Sequence, residues 1–317
     1  MGGRVFPGLT RRYLAPEYFE IMPDIMDRVS MFADRFDVIP GYAKKESFGD
    51  MDVLYTPRIQ LSQKYLQEIF QTENVSHNGS VWSLTFQELQ VDLVLTTEIE
   101  YTYALNYFSW NDRGNLIGRY AHKMGLKHGH DCLKFPVRSN DTVLGEVILT
   151  HDPLQAEHFL DIEPVEELQT MEDIFVNVAN SKYFNADIFL LDNRNHAARV
   201  RDAKRPTYTA FLKWCEQHIG QNPYEWNKDK SVYTDLIYAE FPHAQAQFEA
   251  IWDNKRYIDR ANKKFNGTLV MEWTGLSGKP LGIAMKLLKE KLSTEVVLTL
   301  SESEIMKIVK HTMENKK

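Results

Sequence analysis

Two aspartates, Asp50 and Asp52, stand two residues apart in the stretch Glu46-Ser47-Phe48-Gly49-Asp50-Met51-Asp52-Val53-Leu54. Successive side chains of a strand point to opposite faces, so the two carboxylates share one face while Met51, Val53 and Tyr55 take the other. Like charges held that close repel, and a divalent cation between them turns the repulsion into a binding site. The donors are hard oxygens with no Cys or His beside them, which points to magnesium rather than zinc. Gly49, directly before the pair, allows a sharp turn or a close approach of the backbone to a ligand. The competing reading is a solvated turn followed by an edge strand.

A third acid follows in Gln90-Val91-Asp92-Leu93-Val94-Leu95, where one aspartate interrupts an apolar run. A charge in a buried strand is costly unless it is paired or bound to metal, so Asp92 is the expected third ligand. The alternative is a surface aspartate on an edge strand. Upstream, Gly41 offers a close backbone approach, and Lys44 and Lys45 offer point charges for phosphate or else line a solvated turn. His122, His128, His130 and Cys132 crowd together but lack the paired spacing of a zinc site. No Gly-x-Ser-x-Gly or Cys/His signature supplies a protein nucleophile.

The elements that must hold these residues are legible as periodicities. Apolar positions from Tyr18 to Phe32 recur at helical spacing, with Pro23 expected near a helix start or a break. Phe36 to Ile39 reads as a short strand and Pro40-Gly41 as a turn. Pro57 to Gln71 is an expected amphipathic helix, and Val81 to Phe86 and Gln90 to Leu95 are strands. Tyr107 to Tyr120 reads as an aromatic loop running into a helix, and Phe135 to Leu149 as β structure. Helices are expected over Phe211 to Ile219, Val232 to Phe241, Ala244 to Tyr257 and Ile283 to Leu292. The basic stretch Arg194 to Arg205 is either a nucleic-acid contact or a solvated helix face.

With 317 residues, 43% of them hydrophobic and 26% charged, the chain is long enough for two or three domains and has an ordinary globular composition. No apolar run approaches membrane-spanning length, so no membrane partner is expected. Two distant cysteines without metal or redox spacing point to a cytoplasmic location. A net charge of -7 argues against indiscriminate nucleic-acid binding by the whole surface but leaves room for a local basic groove.

Ser47-Phe48-Gly49-Asp50-Met51-Asp52-Val53-Leu54 resembles the metal-binding strand of the family X DNA polymerases, the polymerase-beta-like nucleotidyltransferases. Asp92 lies in a run similar to the one that carries that family's third acid. Tyr107-Phe108-Ser109-Trp110-Asn111-Asp112, followed by Asn115 and Arg119, resembles the family's nucleotide-contacting segment, Tyr-Phe-Thr-Gly-Ser-Asp with Asn and Arg at the same offsets. Pro164-Val165 and Met171-Glu172-Asp173-Ile174-Phe175 resemble the end of its thumb. The resemblance covers roughly residues 12–185.

What it implies is an α+β fold: a nucleotidyltransferase palm built as a small mixed sheet with helices, then a thumb-like α/β region and a helical C-terminal region. Domain boundaries are expected at 1–100, 101–190 and 191–317. The implied activity is transfer of a nucleotide from an NTP or dNTP to a DNA 3′-hydroxyl with release of pyrophosphate. Asp50, Asp52 and Asp92 would be the catalytic metal ligands for two Mg²⁺ ions, with Mn²⁺ as a substitute. By the same resemblance Tyr107 and Phe108 flank the sugar, Asp112 lies by the base, Asn115 reaches its minor-groove edge and Arg119 sits by the template or primer strand. The family's Gly-Ser before the first acid is replaced by Pro40-Gly41-Tyr42, leaving Gly41, Lys44, Lys45, Ser47 and Gly49 as the expected nucleotide-binding residues of that strand and loop. Trp110 replaces a Gly. An RNA or tRNA 3′ end is the alternative acceptor, because an all-helical C-terminal region is appended, and a catalytically silent nucleic-acid-binding module is the alternative from another class.

Overall fold

The computed structural model describes residues 5–218 and 223–314. The acidic strand lies inside a run of short elements: β1 (Tyr13–Leu14), α1 (Ala15–Ser30), β2 (Ala33–Val38), β3 (Ser47–Phe48), β4 (Asp50–Pro57), α2 (Gln63–Phe70), β5 (Val75–Asn78), β6 (Val81–Phe86) and β7 (Leu89–Leu95). Five of these strands form one mixed sheet in the order β2-β4-β7-β6-β5. β4 and β7 run parallel at its centre, and the other pairings are antiparallel. A parallel pair needs a crossover, supplied here by α2 and the β5–β6 hairpin.

Alternation along β4 and β7 sorts their residues between two faces. Met51, Val53, Tyr55, Val91 and Leu93 are fully buried in a core with Ile21, Ile25 and Val29 of α1 and Leu66 and Phe70 of α2. Burying each such side chain contributes about 1.5–3 kcal/mol, which fixes the strand register: a slip of one residue would bury the aspartates and expose this set. On the other face Leu54 and Val94 pack under Tyr101 and Ala104 of α3 (Tyr101–Phe108). The same face carries Asp50, Asp52 and Asp92 nearer the strand starts.

α1 runs unbroken through Pro23, contrary to the expected start or break. Pro23 is exposed and the residue one turn earlier, Phe19, is 54% exposed, so the carbonyl that loses its amide donor lies on the solvent side, where water can satisfy it.

Next come α4 (Arg113–Lys123), β8 (Lys127–His128), β9 (Leu133–Ser139), β10 (Thr142–Thr150), α5 (Pro153–Phe159), α6 (Met171–Ala179), α7 (His196–Asp202), α8 (Pro206–Gln217) and α9 (Thr234–Glu240). The three strands form a sheet of order β10-β9-β8. Arg113, wholly buried, ties α4 to its neighbours: it pairs with buried Glu157 of α5 at 2.6 Å and donates from Nε to Asn177 Oδ1 of α6 at 2.8 Å. The corner between α3 and α4 requires Gly114, because a Cβ there would come 2.2 Å from the Tyr107 carbonyl oxygen. Trp110 and Asn111 in that corner adopt φ of 60° and 58°, so the tryptophan occupies a left-handed turn of the kind that favours glycine.

The chain divides into two compact units, Met1–Pro136 with Glu146–Ala244, and Val137–Gly145 with Gln245–Lys317. The sequence boundaries near 100 and 190 fall inside the first. The second has its own core of Ala261, Phe265, Val270, Leu288, Leu292, Val297, Ile305 and Val309, drawn from α10 (His243–Lys264), α11 (Gly267–Thr274), α12 (Gly278–Lys291), α13 (Thr294–Thr299) and α14 (Glu302–Glu314) or the residues just after them. The molecule is thus a mixed α+β protein with a small mixed sheet and many helices.

Candidate metal centre

The parallel register of β4 and β7 sets Asp52 directly opposite Asp92, with Asp50 two residues earlier on the same face. One carboxylate oxygen from each of the three lies within 4.8 Å of the others, and all three side chains are half-buried. Such a cluster can hold a metal ion. Among the described residues no other group of three His, Cys, Asp or Glu side chains converges in this way, the histidines near Cys132 included. His128 instead packs edge-on against Tyr107 at 5.1 Å and bonds through Nδ1 to the Tyr103 hydroxyl at 2.6 Å, while His130 stacks on Phe108 at 5.6 Å.

The carboxylates repel. Burial first, then the charges of Asp50 and Asp92, push the Asp52 carboxyl up to about 7. Asp92 is also raised by burial, against hydrogen bonds from Ser83 and Gln90 that favour its ionised form. Gln90 Nε2 donates to both Asp92 oxygens at 3.1 and 2.9 Å, and Ser83 faces Asp92 across the β6–β7 ladder. These two side chains hold the third acid in place.

Lys45 links the cluster to a cationic cleft. Burial lowers the Lys45 ammonium's pKa while Asp50 and Asp52 hold it up, so the lysine lies within electrostatic reach of both acids. Its Nζ sits 4.6 Å over the Phe48 ring, which stacks at 3.8 Å on Tyr18; burial, Asp52 and Asp50 in turn raise the Tyr18 hydroxyl's pKa. Arg12 grips Ser47, donating to its carbonyl at 2.7 Å and to its hydroxyl at 3.0 Å. Arg12, Tyr42, Lys44, Lys45, Glu46 and Ser47 line a cleft of about 340 Å³. Three cations against one carboxylate suit it to an anion. The loop is pinned by backbone bonds from Ala43 to Leu168 O at 2.8 Å and from Lys44 to Gln169 O at 2.9 Å. Gly49 is buried between β3 and β4.

The α3–α4 corner meets this loop. Trp110 N donates to Pro40 O at 2.8 Å, and a Cβ on Gly41 would lie 3.7 Å from Asn111 Oδ1 and 3.2 Å from Lys45 Cδ. Tyr107 and Phe108 end α3 next to that corner, and burial raises the Tyr107 hydroxyl's pKa. Asn115 Nδ2 is buried with no hydrogen-bond partner among the described residues.

Two residues expected to contact the nucleotide or its strand are engaged within the protein. Arg119 is buried, donating from Nε and Nη2 to the Ile188 carbonyl at 3.0 and 2.8 Å, with burial pushing its pKa down to about 10. It falls on the inward stripe of α4 with Leu116 and Tyr120, so its donors face the protein rather than a strand of nucleic acid. Asp112 is ion-paired to Arg205. Within the basic stretch before Pro206, buried Asp202 pairs with Arg194 at 2.8 Å and Arg201 at 3.1 Å, and Arg205 is taken by Asp112.

Arg12, Tyr42, Ser83 and Gln90 were not singled out from sequence. Gln90 was recoverable, standing two residues from Asp92 and so on its face. Ser83 emerges only once the β6–β7 register is known, and no local pattern marks Arg12. Neither a protein-family model nor a curated protein matches the chain.

Proposed function

We propose that the protein is a metal-dependent nucleotidyltransferase that moves a nucleotide from a nucleoside triphosphate to a polynucleotide 3′-hydroxyl, releasing pyrophosphate. The observation that carries this reading is the convergence of Asp50, Asp52 and Asp92 beside a cationic cleft. An all-oxygen donor set fits Mg²⁺ or Mn²⁺. Two such ions lower the pKa of an attacking hydroxyl and neutralise the triphosphate during in-line displacement.

The chain's own residues do the rest. Lys45, Lys44 and Arg12 line the cleft and bind phosphate oxygens, Lys45 within electrostatic reach of Asp50 and Asp52. Gln90 and Ser83 orient Asp92, and Tyr107 and Phe108 wall the sugar, with the buried, unpartnered Asn115 amide as the donor that the polymerase resemblance assigns to a base. DNA is the acceptor that the polymerase resemblance implies. A second reading, an unpaired RNA or tRNA end, is favoured by the burial of Arg119, which leaves that guanidinium nothing to offer a paired template.

The test is incubation of the full chain with Mg²⁺, labelled ribo- and deoxynucleoside triphosphates, and a panel of primed DNA, single-stranded DNA and tRNA. Extension of at least one acceptor is expected. Extension of primed DNA alone, copying the template, would remove the second reading.

A further inference from the structure

Charge is unevenly distributed along the chain. The second unit holds 14 Lys and Arg against 10 Asp and Glu, a net +4, whereas the first holds 23 against 34, a net -11. Within the second unit the run 253–264 of α10 alone carries five cations and two acids. Asp253, Asn254, Arg256, Tyr257 and Arg260 line an open cleft of about 530 Å³ on this helix. Arg256 and Arg260 are four residues apart on one helical face, Tyr257 lies three before Arg260 at its side, and exposed Lys263 continues the row. Arg256 is held by an exposed ion pair with Asp253, a contact that contributes little and is readily exchanged for a phosphate. Tyr257 is half-exposed and lines the same cleft as the two guanidinium groups.

Guanidinium groups beside an accessible aromatic ring are what a single-stranded polynucleotide requires: cations for consecutive phosphates and a π-face for an unpaired base. A duplex offers no free base to stack, so the ring would gain nothing from it. The acidic first unit repels any polyanion at long range, which makes a concentrated basic face the place where one can be retained.

We propose that this face of α10 is a binding site for single-stranded nucleic acid, distinct from the acidic cluster. Insofar as the transfer reading holds, the bound strand is the acceptor. The charge pattern and the ring argue for the site independently of catalysis.

The test is fluorescence anisotropy of labelled 20-nucleotide single-stranded RNA, single-stranded DNA and duplex DNA with the full chain in EDTA. Tighter binding of the single strands than of the duplex is expected, and the RNA and DNA arms show which backbone is preferred. Arg256→Ala with Arg260→Ala should weaken single-strand binding about tenfold and reduce the slope of log affinity against log salt by about 1.4, the amount expected for two lost phosphate contacts. Tyr257→Ala should weaken it about tenfold with the slope unchanged, and Tyr257→Phe should restore it. Equal or tighter duplex binding, no binding at low salt, or wild-type affinity in the correctly folded double variant would overturn the proposal. Failure of the transfer reading would show separately, as wild-type protein that binds single strands but extends none.

Discussion

Asp52 of β4 and Asp92 of β7 face each other across the central parallel pair of the sheet, each between apolar residues along its own strand. Adjacent parallel strands in register put opposed side chains on the same face, so the sheet itself forces two carboxylates together, and Asp50 makes a third. A fold gains nothing from that repulsion by itself. The arrangement becomes favourable when a cation occupies it.

The raised Asp52 carboxyl, at about 7 against an ordinary 3.8, gives a pH dependence of definite sign. The folded protein holds this proton more tightly than the unfolded chain does, so Asp52 ionisation opposes folding. Metal-free stability from this group should therefore be greatest below pH 4 and fall as pH rises to about 7. Asp52→Asn removes the effect, so its melting temperature should gain on the wild type between pH 5 and 8. Millimolar Mg²⁺ should stabilise the wild type more at pH 8 than at pH 5, because binding displaces the proton. A Mg²⁺ shift equal at both pH values would show that Asp52 is not a ligand.

Lys45 and Arg12 are expected to act on the triphosphate rather than on the acceptor. A hydrogen bond to a charged group is worth about 1.5–3 kcal/mol, so Lys45→Met or Arg12→Ala should raise the KM for nucleotide at least tenfold. The KM for the acceptor should stay within about twofold. Steady-state kinetics with each substrate varied in turn separates the two, and a selective rise for the acceptor would assign the cleft to the polynucleotide instead.

The buried pair Arg113–Glu157 should be among the most sensitive structural positions. Arg113→Met leaves Glu157 buried without its partner, at a cost of about 3–5 kcal/mol. At about 2–4 °C per kcal/mol for a unit of this size, the melting temperature should drop by about 6–20 °C. Arg113→Met combined with Glu157→Met should recover most of that loss. A double variant no better than the single one would mean that Asn177 and the Glu163 carbonyl, which Arg113 also reaches, dominate the network.

Arg119→Ala should lower stability and leave nucleotide choice alone, because both of its hydrogen bonds go to Ile188. Comparing correct with mismatched incorporation on primed DNA checks this. A loss of discrimination without a change in melting temperature would return Arg119 to the nucleic-acid interface.

The acidic site was legible because β periodicity and the expense of burying charge are local rules: Asp50, Asp52 and Asp92 could be placed on one face from Met51, Val53 and Val91 alone. The strands β6 and β7 and the helices α1 and α10 were legible for the same reason. The anion cleft was less so, since Arg12 reaches Ser47 from thirty-five residues away through tertiary packing. Arg119 is the opposite case. Its offset from Asp112 suggested a contact, but its place between Leu116 and Tyr120 on one helical stripe buried it. The stretch from Arg194 to Arg205 reads equally as a nucleic-acid contact or a solvated helix face, and only the fold shows that Asp202 at the end of α7 engages Arg194 and Arg201.

The most direct test of the account is to measure 3′-end extension and pyrophosphate release by the wild type, Asp52→Asn and Asp92→Asn with Mg²⁺ and the acceptor panel. The account predicts extension by the wild type, matched one for one by pyrophosphate, abolished by EDTA and by either substitution. Asp92→Asn should retain triphosphate binding, because Asp50, Asp52 and the Lys45 cleft remain. Folded wild-type protein that extends no acceptor with Mg²⁺ or Mn²⁺, or variants as active as the wild type, would contradict it.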